Sequence, residues 1–315
     1  MFRRLLLLVC TCVFLSGCGP TYPQDKLISA LKDLCRREYG LDVSVQIVGK
    51  TLGVYLPLEK LIDSTLQIPQ EVRQRLDHVI LATSRVVLST DAPLDFYVVV
   101  AQDKRVPGTE LRLTRYVPDI RRFSYGNLPQ GEFTDRMLFD IGLGFSGLDT
   151  KHPSFRLDDV QLPDFLATQT AHRIETKFRE TPSLRERFDL HSAQGRFLPY
   201  KPETGAWGLS KGEYGDLVFA LDIQARGLGL VTSFKEEDLE EALKVALSVI
   251  PAVLRGYRFE AFDRVEIQMT GMTQPLILDR DLLELYDQKK ISLNELLTPH
   301  RLNLPAQDPK FLLNQ

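Results

Sequence analysis

The sequence predicts an α+β fold made of two related subdomains, each with the order α-β-β-α-β-β and a mostly antiparallel sheet covered by helices. Three observations predict it. Helical apolar stripes alternate with short runs of period two, and this order of elements occurs twice. After the last strand of each copy comes a short Glu-containing segment, at Gln130–Phe133 and at Leu293–Leu296.

The first predicted subdomain covers residues 24–141. Gly40 ends its first helical stripe, and Pro69 opens its second. The run from Leu94 to Ala101 is apolar at nearly every position, which indicates a central strand buried on both faces. The predicted elements are, in order, a helix at 24–39, strands at 43–47 and 54–56, a helix at 69–87, and strands at 94–101 and 111–113.

The second predicted subdomain covers residues 163–297, with a loop-rich insertion at 181–212. Ser233 and Glu236 form a capping box before a long helix, which Pro251 is expected to kink. The predicted elements are a helix at 164–179, strands at 217–223 and 228–234, a helix at 236–254, and strands at 262–270 and 276–278. A linker at 142–162 joins the subdomains, and a C-terminal tail follows at 298–315.

The N-terminus reads as an export signal over residues 1–17. Arg3 and Arg4 precede an apolar run that rises about 16 Å as a helix, too short for a bilayer core of about 30 Å. The run closes with Leu15-Ser16-Gly17-Cys18, which resembles the lipobox of bacterial lipoproteins. The resemblance implies cleavage before Cys18, diacylation of its thiol and acylation of its new amine. The alternative is an ordinary secretory signal in which Cys18 is incidental.

The lipobox also implies a location. A lipid on Cys18 anchors the mature protein in a membrane of the cell envelope, and residues 18–23 form a short tether. Gly19, in place of the aspartate that commonly retains lipoproteins at the inner membrane, favours the periplasmic face of the outer membrane in a diderm organism. We therefore expect the membrane as one partner, met through the lipid.

Charge and cysteine content exclude several classes of protein. The chain has 39 basic and 42 acidic residues; cleavage removes Arg3 and Arg4 but no acid, so the net charge moves from −3 to −5. This balance does not favour a nucleic-acid partner. Of four cysteines, only Cys18 and Cys35 remain after cleavage, which leaves no disulfide framework. Cys35 lies on the apolar stripe of the first helix and is expected in the core.

Motifs that would carry familiar chemistry are incomplete. Gly142–Gly147 fits G-x-G-x-x-G, but the His-Pro that follows soon after argues against the helix that this motif requires. Ser146 lacks the second glycine of a nucleophile elbow. The histidines do not stand at metal-ligand spacing. The acidic pairs Asp158-Asp159 and Asp279 with Asp281 read as solvated loops more readily than as a hydrolase site. We therefore expect no cofactor, no metal site and no catalytic residues.

The most distinctive surface feature is a run rich in arginine and aromatic residues. Such residues are enriched at protein interfaces, and arginine also binds anionic groups. The plain alternative is a strand edge and a helix face that expose ordinary charge. The candidate interaction residues are Arg112, Arg115, Tyr116, Arg121, Arg122, Phe123 and Tyr125. A second contact loop was considered around Trp207, within the insertion, although a hydrophobic plug explains it equally well.

The sequence thus favours a noncatalytic envelope lipoprotein that binds another envelope protein or assembles a complex. A binder of a small molecule or lipid is the main alternative, and an apolar pocket would favour it. An envelope enzyme, such as a hydrolase, with an unfamiliar site is the third possibility.

Overall fold

The computed structural model describes residues 21–65, 67–106, 108–142, 157–200, 214–226 and 236–297. The chain divides into two units, residues 1–160 and 161–315. Each unit combines helices with one mixed sheet, which confirms the predicted α+β class.

The first unit has the predicted order of elements plus a fifth strand. Its sheet has the order β1-β2-β3-β4-β5, in which only β2 and β3 are parallel. The elements are α1 (Leu27–Tyr39), β1 (Ser44–Val48), β2 (Thr51–Leu58), α2 (Gln70–Leu88), β3 (Phe96–Asp103), β4 (Glu110–Tyr116), α3 (Val117–Ser124), α4 (Gln130–Asp135) and β5 (Leu138–Gly142).

The central strand β3 separates two apolar layers, as its continuous hydrophobic sequence predicts. Its residues Tyr97 and Val99 point toward the core that the sheet forms with α1 and α2. Its residues Val98 and Val100 point the other way and are covered by Leu157 and partly buried Val160. Period-two alternation places neighbouring side chains on opposite faces of the strand.

The chain at 157–160 is fastened to the first unit by Asp159. This carboxylate accepts hydrogen bonds from the backbone N–H of Lys50 at 3.0 Å and from the Thr51 hydroxyl at 3.1 Å. A Cβ at Gly49, whose φ is +55°, would lie 2.1 Å from the same carboxylate. The end of the predicted linker is therefore an ordered part of the first unit, and Asp159 has a structural role there.

The end of the predicted tether is likewise attached to the first unit. The backbone N–H of Tyr22 donates to Ser89 O at 3.1 Å, and that of Gln24 donates to the Asp91 carboxylate at 2.8 Å. Tyr22 also packs against the core. The chain is thus held to the loop after α2 from Tyr22 onward.

The second unit repeats the pairing scheme in a sheet of order β6-β7-β8-β9, in which only β7 and β8 are parallel. Its elements are α5 (Leu162–Glu180), α6 (Pro182–Arg187), β6 (Phe188–Pro199), β7 (Gly215–Ala225), α7 (Glu236–Tyr257), β8 (Arg264–Met269), β9 (Leu276–Asp279), α8 (Arg280–Asp287) and α9 (Leu293–Leu297). The helix α7 continues through Pro251.

The predicted loop-rich insertion at 181–212 is wrong over the part that the structure describes. It contains α6 and β6, and β6 is the first strand of the hairpin that β7 completes. A bulge between Leu190 and Ser192 interrupts the alternation of β6 and hid the strand. Gly195 lets α5 approach closely, since a Cβ there would lie 2.0 Å from Ala167 O. The strand predicted at 228–234 lies outside the described residues.

Backbone hydrogen bonds recur at matching places in the two units. Asp95 O accepts from Val117 N at the start of α3, and Asp263 O accepts from Arg280 N at the start of α8. The turns after these helices both contain a residue with positive φ, Gly126 in one and Lys289 in the other. The predicted Glu-containing segments are the short helices α4 and α9, so the repeated unit extends past its last predicted strand.

Candidate interaction surface and pockets

The structure does not bring the seven candidate interaction residues into one patch. Strand β4 divides them, because Leu111 and Leu113 face the helices and alternation then places Arg115 on that side and Arg112 and Tyr116 on the other. The rest lie on or directly after α3: Arg121, Arg122, Phe123 and Tyr125. Cys18 lies outside the described residues.

Residues on the side of the sheet away from the helices interact within the first unit. The Arg112 guanidinium lies 3.4 Å from the Glu110 carboxylate. The rings of Tyr116 and Phe96 are 5.1 Å apart. These contacts explain Arg112 and Tyr116 as parts of the sheet.

A buried arginine, which the sequence analysis missed, ties α3 to α4. The side chain of Arg136 is 3% exposed and donates to Asp119 at 2.8 Å and to Glu132 at 2.5 Å. Asp119 is 5% exposed and also lies 3.5 Å from Arg122. Sequence spacing gives no sign of the pair, because its partners lie on different elements and meet only when α4 folds back on α3.

Two aromatic rings and a guanidinium stack beside this ion pair. The rings of Phe123 and Phe133 are 4.2 Å apart and nearly parallel, and the Arg115 guanidinium lies 4.2 Å from the centroid of Phe133. Such a cation over a ring adds to the stacking energy. Arg115 and Phe123 are therefore held in place by intramolecular contacts, and Phe123 keeps an exposed side.

The stack continues toward the outer strand of the sheet. Phe139 of β5 lies opposite Leu113, which makes it a diagonal neighbour of Arg115 on the helix side. Ile141 lies two residues further along the same face. Phe139 is 41% exposed and Ile141 47% exposed, on a strand that pairs only with β4 among the described residues.

We call this region the β5 edge surface. Tyr125, just after α3, is 79% exposed and adds a second aromatic group. The surface combines apolar side chains, a basic group and the outer backbone edge of a strand. It consists of Arg121, Phe123, Tyr125, Phe139 and Ile141.

The second unit contains a pocket of about 310 Å³ between the end of α7 and α8, which we call the α7–α8 pocket. An ion pair between Arg255 and Asp287 lies at its rim. Nearby Arg258 has a φ of +55°, which is uncommon for a residue with a side chain. Its apolar walls are formed by Pro251, Leu254, Phe259, Phe262 and Leu283.

Helix α5 carries a cluster of buried polar atoms without hydrogen-bond partners. Both amide atoms of Gln169, the hydroxyl of Thr170, and Nε and Nη2 of Arg173 are in this state. Gln169 and Thr170 are fully enclosed by the second unit. Because buried polar groups are nearly always satisfied, these atoms carry an energetic cost.

Residues considered for chemistry are scattered in the structure. The ring of His78 stacks on Tyr39 at 4.4 Å. Within the described ranges, no group of three or more His, Cys, Asp and Glu side chains is placed to hold a metal ion. His152, His300, Ser146 and Trp207 lie outside these ranges, as does the predicted glycine motif beyond Gly142.

None of the helices in the described parts of the chain is long and apolar enough to cross a membrane.

No protein-family model, curated protein or solved structure matches this chain. The geometry of its own residues is therefore the basis for a functional proposal.

Proposed function

We propose that this protein is a noncatalytic lipoprotein of the cell envelope, anchored through Cys18, that binds another envelope protein through the β5 edge surface. The lipobox supports the anchor, and in a diderm organism Gly19 favours the outer membrane. The observation that carries the binding proposal is an outer strand with exposed apolar side chains. An exposed strand edge offers unpaired N–H and C=O groups that an extended partner segment pairs with.

The side chains of the surface define the chemistry of the partner. Phe139 and Ile141 are spaced by two on one face, so they contact alternate residues of an added strand. Phe123 and Tyr125 offer aromatic area, which dominates binding energy at interfaces. Arg121 is exposed beside them, and a carboxylate complements it. The partner segment is therefore extended and apolar at alternate positions, with an acidic residue.

The attachment of Tyr22 limits how far the protein extends from its anchor. Only Gly19, Pro20 and Thr21 separate Cys18 from the residue that bonds to Ser89. At about 3.3 Å per extended residue, this stretch spans about 13 Å. The first unit therefore meets its partner close to the membrane surface.

Site-specific crosslinking in the native membrane tests the binding proposal. A photoreactive phenylalanine analogue at position 139 is expected to give a discrete crosslinked protein after illumination and affinity capture. Leu81 on α2 is the matched control, since it is also a large apolar residue of the first unit and is 60% exposed. The same analogue at position 81 is expected to give no discrete product.

A second pair of variants separates strand pairing from general stickiness. Ile141→Lys places a charge on the edge and is expected to abolish the crosslink at position 139. Leu81→Lys makes the same chemical change elsewhere and is expected to leave it intact. Equal products from positions 139 and 81, or capture of the protein alone, would contradict protein binding at this surface.

The anchor is tested separately. Cys18→Ala is expected to leave an uncleaved precursor without acyl label, because the processing implied by the lipobox needs the thiol. Normal cleavage in this variant would instead indicate an ordinary secretory signal.

The α7–α8 pocket supports a second candidate function, the binding of a small amphipathic molecule. Its volume lies at the lower end of the range for ligand pockets, and its apolar walls carry a charged rim. Phe259→Ala removes a ring from these walls. Apolar dye binding that is saturable in the wild type and weakened by Phe259→Ala supports this candidate, and identical binding by both proteins argues against it.

A further inference from the structure

A second cavity of the second unit, which we call the arginine pocket, has three guanidinium groups in its lining. It has a volume of about 350 Å³ and lies between the end of α5, α6 and the start of β6. Its floor is formed by the nearly buried side chains of Phe178, Phe188 and Leu190. The remaining lining residues are Arg179, Arg185, Asp189 and Arg226.

The three arginines differ in what they already bind. Nε and Nη2 of Arg226 both donate to Oδ1 of Asp189, which fixes this guanidinium in the wall. Arg179 donates to Glu175, one turn earlier on α5. The side chain of Arg185 makes no hydrogen bond or ion pair with any residue in the described parts of the chain.

The lining therefore has a surplus of positive charge. Three guanidinium groups face one lining carboxylate, and each guanidinium has more N–H donors than its single partner uses. Arginine donors in a fixed fork match the oxygens of a phosphate or carboxylate. The cavity is thus suited to an anion.

We propose that the arginine pocket binds the phosphate group of a small molecule or lipid head group, with Arg185 as its principal ligand. A tetrahedral phosphate presents oxygens to several arginines at once and matches the surplus charge better than a single carboxylate does. The aromatic and aliphatic floor contacts the carbon skeleton attached to the phosphate. Binding here is independent of the β5 edge surface, which belongs to the first unit.

Isothermal titration calorimetry on the mature lipoprotein in a neutral detergent, at constant ionic strength, tests the proposal. The probes are sodium phosphate, glycerol 3-phosphate and dihexanoyl phosphatidate. Arg185→Ala is expected to raise the Kd of the bound probe at least tenfold, because a charge-assisted contact is lost. Arg196→Ala is the matched control: Arg196 is an exposed arginine of β6 that does not line the cavity, so its Kd is expected to match the wild type.

The probes distinguish two sources of the same phosphate chemistry. Tighter binding of the phosphatidate than of glycerol 3-phosphate assigns a lipid head group, whereas equal binding of the two assigns a soluble phosphate compound. Circular dichroism confirms that each variant is folded. The proposal is overturned if no probe binds saturably to the wild type at millimolar concentration, or if Arg185→Ala and Arg196→Ala give the same Kd.

Discussion

Replacement of Arg136 by methionine removes the guanidinium that joins α3 to α4 beneath the β5 edge surface. The buried Asp119 carboxylate then keeps only Arg122, at 3.5 Å, as a nearby cation. Loss of one partner from a buried ion pair costs about 3–5 kcal/mol, and the remaining arginine places this case at the lower end, about 3 kcal/mol. Glu132 is partly exposed, so its lost contact with Arg136 adds little.

The assay is urea unfolding of the chain from residue 19 onward, monitored by labelling of Cys35. Cys35 is the only cysteine in that chain, and it is completely buried on α1, so it reports unfolding of the first unit. Burial also raises the pKa of its thiol to about 11, which keeps it unreactive in the native state. The midpoint for Arg136→Met is expected to fall by the amount that corresponds to about 3 kcal/mol.

The double variant Asp119→Leu with Arg136→Met is expected to recover most of the loss, since no uncompensated charge remains buried. Arg75→Met is the control, because the exposed pair of Arg75 with Glu71 is expected to contribute less than about 1 kcal/mol. The reasoning is refuted if Arg136→Met costs no more than this control, or if the double variant is as unstable as the single one.

Three further predictions concern the packing and buried polar groups of the two units. Gly195→Ala places a Cβ 2.0 Å from Ala167 O and is expected to cost about 3 kcal/mol in urea unfolding, whereas Gly131→Ala, with open space around it, costs nothing. Burial acts to raise the pKa of Asp103, but hydrogen bonds from the N–H groups of Leu61 and Arg105 outweigh it, and its pKa lies below the usual value. Its stabilising contribution is therefore complete above the unfolded pKa of about 3.9 and is lost as the pH falls through the lower folded value; Asp103→Asn is expected to lower the unfolding free energy at pH 7 by about 2 kcal/mol and to flatten its decline in acid. Gln169→Leu removes a buried amide without partners and is expected to leave stability unchanged or raise it by about 1 kcal/mol, so a clear loss in thermal unfolding would mean that the amide is bound in solution.

Periodicity made much of the fold predictable. The helices α1 and α2 and the strand β3 lie where their apolar stripes predict, because a stripe of the right period has one way to become buried. The matching Glu-containing segments correctly marked equivalent places in the two copies. The strands β5 and β6 escaped prediction for local reasons: β5 is short and largely exposed, and β6 carries a bulge and a glycine.

The candidate interaction residues show the same limit for the site. Alternation along β4 already separates Arg115 from Arg112 and Tyr116, so this division was open to prediction from the sequence. The stacking of Phe123 on Phe133 was not, because their separation along the chain is spanned by a turn whose geometry the sequence pattern does not specify. Arg136 looked like any charged residue until its burial was known.

The sequence by itself determined the α+β class and the twofold repetition of its elements, since both follow from local patterns of apolar residues. It also raised the prediction of a lipid anchor at Cys18, which rests on a contiguous tetrapeptide. Only the tertiary structure decided which side chains meet: the Arg136–Asp119 pair, the exposed edge of β5 and the lining of the arginine pocket. Each of these joins residues from different elements, and their proximity depends on how those elements pack, which no local pattern encodes.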